Sequence, residues 1–171
     1  EEKVQIFRQI GLLQENLADQ TKIYSSLCHL LQSENDYLIQ SDVNNINKSA
    51  VLKDGLLRAA EAKEEERLNL CSNLANDLRL RSESPKLLEI ATKLPEPYRS
   101  KLIQHKSSLE NLFAEIKRLN HENEILAEAA LSTIGGTIDR IKDALAPKQT
   151  YQAGGKKKDT NQTKHLVHRE A

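Results

Sequence analysis

A seven-residue repeat of apolar side chains in the N-terminal quarter of the chain constrains the fold more than any other feature. The repeat consists of five residues: Ile10, Leu17, Tyr24, Leu31 and Leu38. Residues seven apart lie on the same face of an α-helix, so the repeat predicts one long amphipathic helix over about residues 4–41. Between the repeat positions, Leu13 and Leu27 are apolar whereas Gln20 and Glu34 are polar. The helix therefore has one strong apolar stripe and a weaker flank. At about 1.5 Å per residue it measures roughly 50 Å, which predicts an elongated molecule.

A second helix is predicted over about residues 43–81, where Asp42 follows a break at Ser41 and can cap the new helix. Charged residues dominate between Glu61 and Arg67, and such a run is typical of a solvated helix face. The apolar positions of this helix are expected to form its buried face. They are Val43, Ile46, Ala50, Leu57, Ala60, Leu68, Cys71, Leu74 and Leu78.

Prolines mark a connector with one short helix. Ser84 and Pro85 are expected to serve as the N-cap and the first residue of a helix over about residues 85–94. Pro95 and Pro97 end that helix, because the residue before a proline is pushed out of the α region.

The last long helix is predicted over about residues 98–146. Its apolar residues follow regular three-and-four spacing up to Ala130 and then drift, which predicts local unwinding. Gly135 and Gly136 fall within this drift, so a kink or fraying is expected there. Beyond Pro147 the helical pattern stops, and residues 147–171 are expected to form a disordered tail. The predicted organisation is therefore a helical domain over 1–146 and a flexible tail over 147–171.

Composition supports an all-α fold, an antiparallel hairpin or bundle of about three long helices and one short helix. The chain has 171 residues, 38% of them hydrophobic and only 4% aromatic, and its formal net charge is +0. A balanced charge argues against a nucleic-acid binder, and no apolar stretch is long enough to predict stable membrane insertion. Two cysteines, Cys28 and Cys71, are expected to be buried or half-buried thiols in a reducing compartment. The absence of Met predicts that this is not the complete natural chain.

No constellation of residues predicts a catalytic, metal or cofactor site. His29 stands beside Cys28 without further ligands, and His165 and His168 lie in the tail. The chain is therefore predicted not to be an enzyme. Adjacent leucines present apolar groups to two helix faces, which predicts an interaction surface that accepts partner helices. Alternatively, these leucines form the core of the chain's own bundle or of a homodimer.

Four short motifs occur in order along the chain. They are residues 31–38 followed by Asp42, Lys53 and Glu66-Arg67; residues 87–95, ending in Pro95; Leu119 with Asn120 and Asn123; and residues 150–155, with Tyr151 and Gly154. Together they resemble the motifs of the FlgN-type flagellar export chaperones of type III secretion. Gly135 and Gly136 depart from that pattern, because the family usually keeps a continuous helix there.

The resemblance implies a cytoplasmic chaperone without ATPase activity. It would bind the unfolded helical termini of hook–filament junction proteins and deliver them to the export gate. The expected cargo-binding residues lie on the last helix: Leu112, Ile116, Leu119, Asn120, Asn123, Leu126, Ala130, Ile134 and Ile138. Tyr151 is expected to dock on the export gate.

Several alternatives stay open from the sequence. Asn123 could set the register of helices within the chaperone itself, and Tyr151 could pack back onto the bundle. The alternative to a chaperone is a self-assembling coiled-coil adaptor or scaffold. The sequence does not decide between a monomer and a homodimer.

Overall fold

The structure is a computed structural model that describes residues 2–82 and 85–146. Within these residues the chain forms helices and no strand, which confirms the predicted all-α class of three long helices and one short helix. The helices are α1 (Glu2–Gln40), α2 (Val43–Asp77), α3 (Leu87–Thr92) and α4 (Tyr98–Leu145). The chain divides into two compact units, Glu1–Thr133 and Ile134–Ala171, and the boundary falls within α4.

In the first unit α1 lies between the other two long helices. Glu34 of α1 bonds Lys53 of α2, and Asn16 of α1 bonds Glu66 of α2, so these two helices form an antiparallel hairpin. Phe7 contacts Tyr98 and Asn35 bonds Asn123, so residue numbers on α1 and α4 rise together. In this unit α4 therefore runs parallel to α1 and antiparallel to α2.

Two clusters of apolar side chains form the core of this unit. The larger one joins α1, α2, α3 and α4, and its fully buried members include Ile10, Leu13, Leu17, Leu74, Ile90, Leu94 and Leu102. The smaller one joins Leu27, Cys28 and Leu31 of α1 to Leu119 of α4. Most of the burial thus lies where α3 covers the open end of the hairpin.

The junction between α1 and α2 is built from local hydrogen bonds. Ser41 adopts the left-handed conformation with φ 55°, and its N–H donates to the Leu38 carbonyl at 3.2 Å. The N–H of Asp42 donates to the Tyr37 carbonyl at 2.9 Å, which completes a Schellman motif at the end of α1. The Asp42 carboxylate then accepts from the Asn45 N–H at 3.1 Å. The predicted capping role of Asp42 is confirmed, and this bond lowers the pKa of its carboxyl.

The second helix ends four residues earlier than predicted, at Asp77 rather than at Arg81. Arg79 takes up a left-handed conformation with φ 55°, and the N–H of Leu80 donates to the Ala75 carbonyl at 2.9 Å. Leu80 then packs against the larger core cluster. The turn that ends the helix thus brings Leu80, which is half-buried, against the core.

The short helix is also shorter than predicted. It begins at Leu87 with Lys86 as its N-cap, and the Lys86 N–H donates to the Glu89 carboxylate at 3.2 Å. Pro85 is therefore not the first helical residue, and the prediction for Ser84 falls outside the described residues. The carboxylate of Glu89 thereby accepts from an N–H at the start of α3 that has no partner within the helix.

The buried face of α2 agrees with the prediction only in part: Ala60, Cys71 and Leu74 are buried, as predicted. Val43, Ala50, Leu57 and Leu68 are exposed, whereas Ser49 is buried. The polar side chains of Lys53 and Lys63 pair with Glu34 and Asp19 of α1. The expectation that apolar residues form the buried face of α2 fails here, because α1 presents polar partners to these lysine side chains. The charged run between Glu61 and Arg67 is therefore only partly solvated.

The last helix is continuous from Tyr98 to Leu145. The fraying predicted at Gly135 and Gly136 is not observed, because both residues lie within α4. A helix interior tolerates glycine at about 1 kcal/mol relative to alanine, which is too little to interrupt a helix of this length.

Candidate functional site

A cluster of polar side chains joins the three long helices of the first unit. Lys53 of α2 donates to both carboxylate oxygens of Glu34, each at 2.7 Å. Asn123 of α4 donates to the Glu34 Oε2 at 3.0 Å and to the Leu31 carbonyl at 2.9 Å. Asn35 donates to the Asn123 Oδ1 at 2.9 Å. Asn123 and Glu34 are 4% and 8% exposed, so this cluster fixes the register of α2 and α4 against α1.

The predicted cargo-binding residues in the middle of α4 face this interface. Leu119 is buried against Leu27 and Leu31, and Leu112 and Ile116 pack on the same cluster at half burial. Leu126 and Ala130 are also half-buried, whereas Asn120 is exposed. The structure therefore brings most of the predicted surface together, but much of it contacts α1.

The end of α4 is different, because every residue from Leu131 to Ala146 is exposed. In the second unit Ile134 and Ile138 are 57% and 46% exposed, and Ile141 and Leu145 continue their stripe at 53% and 78%. These spacings of four, three and four residues put the four side chains on one helix face. Ile141 and Leu145 were not among the predicted site residues, although their spacing in the sequence continues that of Ile134 and Ile138.

A lower polar cluster also ties α1 to α2. Asn16 donates to the Glu66 carboxylate at 2.8 Å and to the Lys63 carbonyl at 3.0 Å. Lys63 lies 2.9 Å from Glu66 and 3.2 Å from Asp19. Bonds from Lys63 and Asn16 lower the pKa of the Glu66 carboxyl. Gln20, fully buried beside Asn16, donates to the Lys63 carbonyl at 3.2 Å.

Comparison with known protein families identifies one match. The model of the family described as FlgN protein matches residues 9–159, which is most of the chain. This chain belongs to the FlgN protein family. No curated protein and no solved structure matches the chain. The family is one of flagellar export chaperones rather than of enzymes.

The structure shows where the FlgN motif residues lie. Glu34, Lys53 and Asn123 come from three separate motif positions and meet in the upper polar cluster. Glu66 bonds Lys63 and Asn16, whereas Arg67 donates to Glu64 at 2.7 and 2.6 Å. Glu34, Lys53, Asn123 and Glu66 thus join helices to one another, whereas the bonds of Arg67 lie within α2. Tyr151 lies outside the described residues.

Both cysteines are buried free thiols, as the sequence predicted. Burial raises the pKa of Cys28 and of Cys71, which keeps both thiols protonated and unreactive near neutral pH. Arg67 also contacts the Cys71 Sγ at 3.6 Å. Both cysteines therefore contribute to packing rather than to a reaction.

Within residues 2–82 and 85–146, no group of three His, Cys, Asp or Glu side chains is arranged to hold a metal ion. None of the helices in the same part of the chain combines the length and apolar character needed to cross a bilayer.

Proposed function

We propose that this FlgN family member binds the unfolded amphipathic helical termini of hook–filament junction proteins in the cytoplasm. By covering their apolar stripes it prevents premature assembly, and it then delivers them to the type III export gate. Family membership supports the general role of a flagellar chaperone. The exposed apolar stripe of α4, from Ile134 to Leu145, is the observation that carries the specific proposal.

This stripe supports cargo binding for a physical reason. An amphipathic helix in a protein is stabilised mainly by packing of its apolar face, and this face is exposed in the free chain. Full burial of an isoleucine or leucine side chain contributes about 1.5–3 kcal/mol, so a cargo helix laid along the stripe would be held. Ordering of an unfolded cargo offsets part of that gain, which keeps affinity moderate and release feasible.

The predicted cargo-binding residues differ in how directly a cargo helix could reach them. Ile134, Ile138 and Asn120 are accessible in the free chain, whereas Leu126 and Ala130 are half-buried. Leu119 and Asn123 could contribute only if α4 separated from α1, because both are buried in that interface. We therefore place the first contact with cargo on Ile134 and Ile138.

The test uses a double substitution, Ile134→Asp with Ile138→Asp. Both side chains are about half exposed, so the helical circular dichroism signal should persist while co-purification of junction proteins with the chaperone is lost. The matched control is Leu57→Asp with Leu68→Asp, which places two carboxylates on exposed leucines of α2. Equal cargo recovery from both variants would show that the stripe is not the binding surface.

A further inference from the structure

Exposed basic side chains gather at the end of the first unit where α3 covers the hairpin. Between Leu78 and Lys106 the sequence has seven basic and three acidic residues, whereas the rest of this unit has 10 basic and 18 acidic residues. The overall net charge of +0 therefore conceals an uneven distribution of charge. Six of these seven basic residues are exposed, and together they form the basic end: Arg79, Arg81, Lys86, Lys93, Arg99 and Lys101.

The core of the first unit gathers the basic end into one surface. Each of its six residues stands next in sequence to a residue that belongs to the larger core cluster or packs against it. These neighbours are Leu80, Leu87, Leu94, Tyr98 and Leu102. Residues that point inward thus alternate with basic residues that point outward around a single cluster. The turn after α2, the surroundings of α3 and the start of α4 therefore present their charges at the same end.

The side chains of the basic end lack acidic partners. Elsewhere in the first unit, most basic side chains pair directly with carboxylates, and those that do are Lys22, Lys53, Arg58, Lys63, Arg67 and Arg118. Among the described residues, no member of the basic end forms such a pair. The Glu89 carboxylate accepts instead from the Lys86 N–H at 3.2 Å, and the Glu96 carboxylate accepts from the Ser100 hydroxyl at 2.6 Å. Six positive charges are thus left available to an anionic partner.

We propose that the basic end docks on an anionic membrane surface. Acidic lipid headgroups create a negative surface potential that attracts Lys and Arg, and clustered basic residues add their contributions. Leu88 and Ile103 stand two residues beyond Lys86 and Lys101, and they are 47% and 42% exposed. Such apolar side chains can enter the boundary between headgroups and acyl chains while the basic groups stay at the headgroups. The docking is peripheral, because no helix has to enter the bilayer.

The arrangement of the charges favours a lipid surface over a partner helix. A helix presents its charged side chains in a line, at positions three or four residues apart. The basic end draws its charges from three segments, and its exposed apolar residues come from α3 and α4 rather than from one stripe. A fluid layer of acidic headgroups can meet charges at all of these positions. The same layer repels the acidic rest of the first unit, which orients the basic end toward the membrane.

Flotation of the full chain with lipid vesicles tests the proposal. The probes are vesicles of equal parts phosphatidylglycerol and phosphatidylcholine, and vesicles of phosphatidylcholine alone. The chain should bind only the anionic vesicles, and binding should fall steeply as salt is added, because salt screens exposed charges. Equal binding to both kinds of vesicle, or binding to neither at low salt, would overturn the proposal.

Matched removal of charge tests which residues bind the vesicles. Lys86→Gln with Lys93→Gln and Lys101→Gln should lower the affinity for anionic vesicles by about tenfold or more. All three side chains are exposed, so the helical circular dichroism signal should be unchanged. The control removes the same charge from Lys156, Lys157 and Lys158, which lie outside the described residues, and it should keep most of the affinity. A control that loses as much affinity as the first variant would refute the assignment to the basic end.

Tryptophan fluorescence tests the apolar contact with the bilayer. The chain has no Trp, so one substitution gives a single signal. The emission of Leu88→Trp should shift to shorter wavelength when anionic vesicles are added, because the indole ring leaves water. Leu57→Trp is the control, since Leu57 is 45% exposed and lies roughly 30 Å along α2 from the basic end. Equal shifts in both variants, or a shift in neither, would contradict docking through the basic end.

An acidic protein segment is the competing partner, and poly-glutamate is the probe for it. A chain that binds poly-glutamate through Lys86, Lys93 and Lys101 but ignores anionic vesicles would assign the basic end to an acidic protein and refute membrane docking. The inference goes beyond the proposed function, because the basic end shares no residue with the apolar stripe from Ile134 to Leu145. Failure of either proposal therefore leaves the other standing.

Discussion

At the scale of single residues, buried polar groups specify how the helices of the first unit pair. Glu34 and Asn123 are nearly inaccessible, and each is bonded to two other helices or to a backbone carbonyl. An unpaired group at such a depth is strongly unfavourable, so any shift in register would leave a charge or an amide without a partner. The apolar residues drive association, while these polar residues select one alignment.

Lys53→Met should therefore destabilise the chain strongly. The substitution removes the two 2.7 Å bonds to Glu34 and leaves a buried carboxylate with Asn123 as its remaining partner. We expect the free energy of unfolding to fall by about 3 kcal/mol in urea titrations at neutral pH. Lys48→Met, on an exposed residue of the same helix, should change it by less than about 0.5 kcal/mol. Equal values for the two variants would contradict a stabilising role for the Glu34–Lys53 pair.

Glu64 should contribute to loss of stability in acid. Its hydrogen bonds with Arg67 lower its pKa in the folded chain below the unfolded value. Stability from a lowered pKa is present above the unfolded pKa and is lost as the pH falls through the folded one. The free energy of unfolding of Glu64→Gln should therefore fall less steeply than that of the native chain as the pH drops below about 4.5.

The control for this pH dependence is Glu61→Gln, an exposed position on the same helix. Urea titrations at a series of pH values should give this control the same slope as the native chain. If Glu64→Gln also keeps that slope, then the bond between Glu64 and Arg67 does not contribute to acid sensitivity.

At the scale of helices, periodicity predicted some elements well and others poorly. The seven-residue spacing predicted the first helix correctly. Ile10, Leu17 and Leu31, which that spacing places on one helix face, are all buried. The buried face of α2 was found only in part, at Ala60, Cys71 and Leu74, because part of its contact with α1 is made by polar residues such as Lys53 and Lys63. From the sequence alone, a charged residue that faces an oppositely charged residue on another helix cannot be distinguished from one that faces water.

The ends of the helices were also predicted poorly from the sequence, because they depend on tertiary contacts. Arg79 adopts a left-handed conformation, which is unfavourable for any residue with a Cβ atom by about 1–2 kcal/mol. It is held there because the following Leu80 is packed against the core. No local signal such as glycine marks this stop, so the sequence predicted a longer helix.

Arg79→Gly should consequently stabilise the chain. Glycine adopts the left-handed conformation without the steric penalty, although it also makes the unfolded chain more flexible. We expect a net gain of about 0.5–1 kcal/mol in the free energy of unfolding, measured by thermal or urea denaturation. Asn76→Gly, three residues earlier within α2, should have the opposite sign because helical positions disfavour glycine. A loss of stability in both variants would show that the Arg79 side chain itself is needed.

At the scale of the whole molecule, the chain combines a hairpin tied together by polar clusters with apolar surface that the described residues do not cover. The resemblance of the motifs led to the correct family, which the match over residues 9–159 establishes. The sequence did not separate motif residues that join helices from residues available to a partner. Leu119 and Ile138 have the same apolar character and the same helical spacing, yet they are 4% and 46% exposed. Leu119 is buried because it packs against Leu27 and Leu31 of α1.

Deletion from Thr150 onward should separate the two activities proposed for this chaperone. The predicted cargo residues all precede Thr150, so co-purification of junction proteins should be retained. Tyr151 is removed, and with it the aromatic side chain proposed to dock on the export gate. Secretion of junction proteins into the medium should therefore fall while their binding inside the cell persists.

The point variant Tyr151→Ala sharpens this prediction, because it leaves the length and charge of the chain unchanged. It should reproduce the secretion defect of the deletion, since an aromatic ring supplies most of the apolar contact that a short docking segment can make. Thr150→Ala, at the preceding residue, is the control and should secrete normally. A Tyr151→Ala chaperone that secretes its cargo as well as this control does would assign gate docking to another part of the chain, even if the deletion itself is defective.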